Sequence, residues 1–104
     1  MTDRILDDIP TLENLRARRD EIIALAAKHR AFNVRVFGSV ARSNAAPGSD
    51  VDILVTFQAG SNIFDQIGLW QDLQDLLGCE VDLLTDHPQA GKVTAAVREE
   101  AVPL

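Results

Sequence analysis

The chain has 104 residues, 46% of them apolar and 25% charged, which fits one folded globular module, residues 1–104, and excludes extensive disorder or a second substrate-binding lobe. Ten Lys and Arg against sixteen Asp and Glu leave a net charge of −6, which excludes a broad basic grip on DNA or RNA but allows a nucleotide held through a metal. No apolar run approaches a membrane span, Met1-Thr2-Asp3-Arg4 lacks the plan of a signal peptide, and the lone Cys79 can form neither an internal disulfide nor a cysteine zinc site, so a cytoplasmic location is expected.

In chain order, Asp8 or Thr11 caps a first helix carrying Leu12, Leu15, Ile22, Ile23 and Ala26 and fading by Lys28-His29-Arg30. A strand follows over Val34–Phe37, with Arg35 facing outward between inward valines, then a short helical turn from Ser39 to about Arg42. Pro47-Gly48 marks a turn in the polar loop from Ser43, and a second strand runs from about Asp50 to Phe57. Ile63, Phe64, Ile67, Trp70, Leu73, Leu76 and Leu77 predict an amphipathic helix ended by Gly78, with Phe64 and Trp70 in the core. Glu80–Thr85 reads as a third strand. A last helix is expected from about Gly91 to Ala101, with Val93, Ala96, Val97 and Val102 as its apolar positions. The order gives an α/β class, a small sheet of about three strands with helices packed on it.

The chemistry-bearing stretch is Gly38-Ser39, ten residues, then Asp50-Val51-Asp52. Side chains alternate along a strand, so Asp50 and Asp52 share one face while Val51, Ile53 and Val55 line the other. Two neighbouring carboxylates repel, and a divalent cation with oxygen ligands relieves that repulsion. Gly38 allows close backbone approach, the amides opening the turn are free to donate to phosphate oxygens, and Ser39 adds a hydroxyl. Asp82 on the third strand is a candidate third carboxylate, able to orient an attacking hydroxyl or complete a metal site, and Arg42 is in reach of a triphosphate. Each piece alone is commonly a turn or a solvated surface; their combination at this spacing is what points to a site. His29 and His87 lack a partner at metal-ligand spacing. Gly91-Lys92 fails as a phosphate loop, because Asp86 stands where the first glycine belongs and Val93 where Ser or Thr is required.

With these residues in view, the chain resembles the minimal nucleotidyltransferases of the DNA polymerase β-like superfamily. The resemblance runs through Phe37–Arg42, Ser49–Val55, Leu77–Leu84 and Arg98–Val102. It implies a mixed sheet of the nucleotidyltransferase fold and a nucleoside triphosphate, ATP, bound with Mg2+. Asp50, Asp52 and Asp82 would be the catalytic and metal-binding acids, and Gly38, Ser39, Arg42 and Ser49 the nucleotide-binding residues. Where such proteins often carry glycine after Ala-Arg, this chain has Ser43.

Members of this kind are commonly encoded beside a HEPN-domain toxin that cleaves RNA, and some silence it by transferring AMP to a tyrosine. The chain has nucleotide-binding parts without an evident lobe for an acceptor, so the acceptor hydroxyl is expected on a partner protein, in an oligomer with itself or with that partner. The alternatives are an antitoxin that masks the toxin by binding alone, and transfer to a small molecule, for which the chain lacks the additional substrate-binding structure.

Overall fold

The computed structural model describes residues 10–86 and 95–104. In chain order it comprises α1 (Leu12–Ala17), α2 (Arg19–Lys28), β1 (Ala31–Phe37), α3 (Gly38–Ala41), β2 (Val51–Phe57), α4 (Ile63–Leu77), β3 (Val81–Thr85), α5 (Ala95–Glu100) and β4 (Val102–Pro103). The sheet order is β3-β2-β1-β4, with β1 antiparallel to both β2 and β4, and β2 parallel to β3. The mixed α/β class holds, and the fourth strand is an addition to the three expected. Asp8, His87 and Gly91–Val93 lie outside the described residues, so the expected start of the last helix and the failed phosphate loop fall there. Among the described residues, no helix is long and apolar enough to cross a membrane.

Helix boundaries follow local chemistry. Thr11 accepts from the Asn14 amide at 3.0 Å to start α1. The expected single first helix is broken at Arg18, which leaves the helical ladder between two segments and pairs with Glu21 at 2.7 Å. Neither proline nor glycine marks that break. α4 opens on a reciprocal capping box between Asn62 and Asp65 and closes at Gly78 in the left-handed region, φ 70°.

The two faces of the sheet differ, and that difference places the site. Val34, Val36, Val51, Ile53, Val55 and Val81 pack with Leu15 and Ile22 and with Leu69, Leu73 and Leu77 of α4 into the main core. On the other face Phe37 and Leu54 pack with Leu84, Val97 and Ala101, so α5 covers part of it. A bulge puts Asn33 and Val34 opposite Val55, with Asn33 at φ 54°; the extra residue lets both Ala31 and Val34 reach the core.

Two sequence expectations change. Phe64 is 78% exposed and Trp70 sits at the surface, donating its indole N–H to the Val81 carbonyl at 2.8 Å. The buried stripe of α4 is Leu69, Leu73 and Leu77, because the helix carries apolar residues on more than one face and only one face meets the sheet. Arg35 does not face solvent: its side chain is 14% exposed, donating to Asp86 at 2.9 Å and Thr56 at 3.3 Å. α5 covers the face that a lone sheet would leave open.

Ser43, just beyond α3, has φ 60°, in the left-handed region that glycine adopts without strain. Replacing Ser43 by Gly should therefore stabilise the fold by about 0.5–1 kcal/mol, part of the relief being cancelled by the more flexible unfolded chain. The gain would be read as a higher urea midpoint at unchanged slope; a lower midpoint would mean that the serine side chain makes a contribution larger than the strain.

Candidate active site

Strand register brings the acids together. Asp52 is directly opposite Asp82 in the parallel β2–β3 pair and opposite Phe37 in the antiparallel β1–β2 pair. Phe37 leads straight into Gly38, so the carboxylate of Asp52 lies against the turn where β1 ends. Gly38 has φ 72°, and an added Cβ would overlap the Asp52 carboxylate outright. Glycine is thus required there twice, by backbone conformation and by the side chain above it.

Asp52 is half-buried, while Asp50 and Asp82 are exposed. Burial pushes the Asp52 pKa up to about 6, with further upward pressure from the negative charges of Asp82, Asp50 and Glu100 and relief from Arg42. All three acids singled out in the sequence therefore act within one electrostatic neighbourhood. Among the described residues, however, no group of three or more His, Cys, Asp or Glu side chains is arranged to hold a metal ion by itself. The structure supplies an oxygen-rich, charge-strained rim and not a closed cage. The cleft lined by Ile23, Ala27, Phe32 and Leu104 contains none of these residues.

The nucleotide-binding candidates are placed as follows. Ser39 is half-buried in the first turn of α3, and its carbonyl accepts from the Asn44 amide at 3.0 Å. Arg42 follows α3 with its side chain half-exposed. Ser49 serves the loop: its hydroxyl accepts from the Ala46 amide at 2.8 Å and its amide donates to the Ala46 carbonyl at 2.9 Å, which fixes the approach to Asp50. The Gly38 amide is not free, as the sequence suggested. It donates to Glu100 Oε1 at 2.6 Å, and Arg42 Nη1 donates to the same oxygen at 2.5 Å.

Glu100 and the Arg35–Asp86–Arg98 group are the parts that sequence reasoning did not assign. Asp86 accepts from Arg35 at 2.9 Å and from Arg98 at 3.0 Å; burial favours the neutral acid, but these two guanidinium groups outweigh it and hold Asp86 below the usual carboxylate range. Asp86 thereby ties α5 to the sheet beside the site. No local pattern could reveal these links, since Glu100 is 62 positions from Gly38 and Arg35 is 51 from Asp86.

The nucleotidyltransferase domain family matches residues 20–102. Protein adenylyltransferase MntA of Thermococcus cleftensis is 35% identical over 91 residues, 80% of this chain and 92% of that protein. The solved structure of a candidate minimal nucleotidyltransferase superposes with a TM-score of 0.78 at 45% identity, covering 90% of this chain and 96% of the other. A toxin–antitoxin crystal structure with AMP-PNP matches with a TM-score of 0.63 at 21% identity, over 81% of this chain and 69% of that one, a likeness of fold.

The raised pKa of Asp52 has a definite consequence for stability. The folded state binds the proton more tightly than the unfolded chain, so the charged carboxylate destabilises the fold, fully above pH 6 and progressively less as pH falls towards 4. Asp52→Asn should raise the melting temperature at pH 8 by a few degrees, on the order of 5 °C, with the gap to wild type narrowing between pH 6 and pH 4. Thermal melts across that range check this; a lower melting temperature for the variant at pH 8 would show that Asp52 is satisfied in the free protein.

Proposed function

Since this chain belongs to the nucleotidyltransferase domain family and is a nucleotidyltransferase, we propose that it moves AMP from ATP, with Mg2+, to a hydroxyl of a partner protein. The acceptor in this reading is a tyrosine of a HEPN-domain toxin in the cytoplasm, and the chain acts as antitoxin. The observation that carries the proposal is the half-buried Asp52 carboxylate, seated on the Gly38 turn and pressed by the charges of Asp50 and Asp82. A carboxylate at that position costs stability, which is the mark of a group kept for chemistry.

The donor set fits a hard divalent ion. Magnesium is commonly held by one or two carboxylates with substrate phosphates and waters completing its shell, so Asp50 and Asp52 suffice without a protein cage of three. Bound there, the ion supplies neutralisation of negative charge on the phosphates and the leaving group. Ser39 and Arg42 donate to the triphosphate oxygens and hold the chain of phosphates along the turn. Asp82, beside Asp52 in register, accepts the proton of the acceptor hydroxyl as its oxygen attacks the α-phosphorus. The new oxygen–phosphorus bond replaces the bond from the α-phosphorus to the β-phosphate, and pyrophosphate departs.

Support for a protein acceptor comes from the name of the Thermococcus relative, and for a toxin partner from the fold shared with a toxin–antitoxin structure. The test is incubation with ATP, magnesium and the HEPN-domain protein that this reading expects as partner, followed by intact-mass measurement of both chains. A gain of AMP on the partner is expected, falling at least about a hundredfold in rate with Asp50→Asn. Undiminished transfer by that variant removes the metal-site reading. Neutralisation of the partner without any mass gain would replace transfer by simple masking.

A further inference from the structure

The Gly38 amide has one hydrogen, and the carboxylate of Glu100 already holds it at 2.6 Å while also engaging Arg42 at 2.5 Å. Gly38 and Arg42 are two of the residues expected to hold the triphosphate, so Glu100 stands where phosphate oxygens belong in that reading. A phosphate oxygen and the Glu100 oxygen cannot share that single N–H, and their like charges repel. We propose that Glu100 is an internal substitute for a phosphate group: it occupies the Gly38–Arg42 donors in the free protein and swings aside when a triphosphate is seated. The inference rests on the triphosphate reading and adds to it the element that competes with the nucleotide.

The surroundings suit a side chain that leaves while its backbone stays. Glu100 ends α5 and its side chain is 31% exposed, so rotation about its own bonds carries the carboxylate into water. α5 and the residue after it are anchored without it, through Val97 and Ala101 on Phe37 and Leu54 and through Arg98 on Asp86. The following residues are fixed as well, with Val102 paired to Val36 and Pro103 to Arg35. Glu100 also adds to the negative charge pressing on Asp52. Its place is explained by the donors it covers and not by relief of charge within the acidic rim. The apparent affinity for nucleotide is then the intrinsic affinity reduced by the fraction of molecules with the seat open.

Two measurements on the full chain test this. Calorimetric titration with ATP in magnesium buffer compares wild type with Glu100→Gln and, as a neighbouring-charge control, Glu99→Gln. Glu100→Gln should bind about threefold to tenfold more tightly and Glu99→Gln like wild type. Equal or weaker binding by Glu100→Gln overturns the competition while leaving the triphosphate reading intact; no binding by any of the three removes that reading and the competition with it. The Gly38 amide resonance is the second readout. It should differ between wild type and Glu100→Gln without nucleotide and coincide once both are saturated with ATP. A difference that persists at saturation would mean that Glu100 stays on the amide.

Discussion

The structure turns on one crowded carboxylate. Asp52 faces Asp82 across a parallel ladder and the end of β1 across an antiparallel one, so both registers must hold for its oxygens to lie on Gly38. β2 can enforce this because its alternate residues, Val51, Ile53 and Val55, are sealed into the main core; a slip of one residue would turn the whole set over. Hydrophobic burial on one face thus holds charge in an unfavourable place on the other. Burial and like charge press on Asp52 together, and positive charge, such as that of Arg42, relieves them.

Much of this was legible in the sequence, and the reason differs by element. β2 reads clearly because a two-residue alternation of Val, Ile and Asp admits one assignment of faces. α4 reads well at its C-terminus, where Gly78 acts locally, but poorly around its circumference. Apolar residues at Ile63, Phe64, Ile67 and Trp70 satisfy a helical period as well as Leu69, Leu73 and Leu77 do, and only contact with the sheet selects the second set. β4 is two residues long and exists through its pairing with β1, a relation between distant segments that leaves no periodic trace.

The same distinction applies to the site. Gly38, Ser39, Asp50 and Asp52 stand out because short-range geometry relates them, a strand end and an alternating pair. The sequence places Arg35 in solvent because what covers it, Asp86 beyond β3, comes from a segment distant in the chain. Glu100 is invisible in role, although it belongs to the stretch that carries the family resemblance, because its meaning lies in an oxygen placed on an amide far away in sequence. Ser43 shows a further limit: this chain holds the left-handed backbone there with a serine, so the loop keeps its shape at some cost.

Coupling of α5 to the turn joins Glu100 and Arg42 to the site, so three carboxylates and one guanidinium act on Asp52. Its state is measurable directly by following the side-chain carboxyl carbon of Asp52 by NMR through a pH titration of the free protein. A midpoint near pH 6 is the result expected from burial and the acidic neighbours. A midpoint at the ordinary aspartate value near 3.8 would contradict the account, for it would mean that Asp52 is neither buried nor crowded by Asp50 and Asp82.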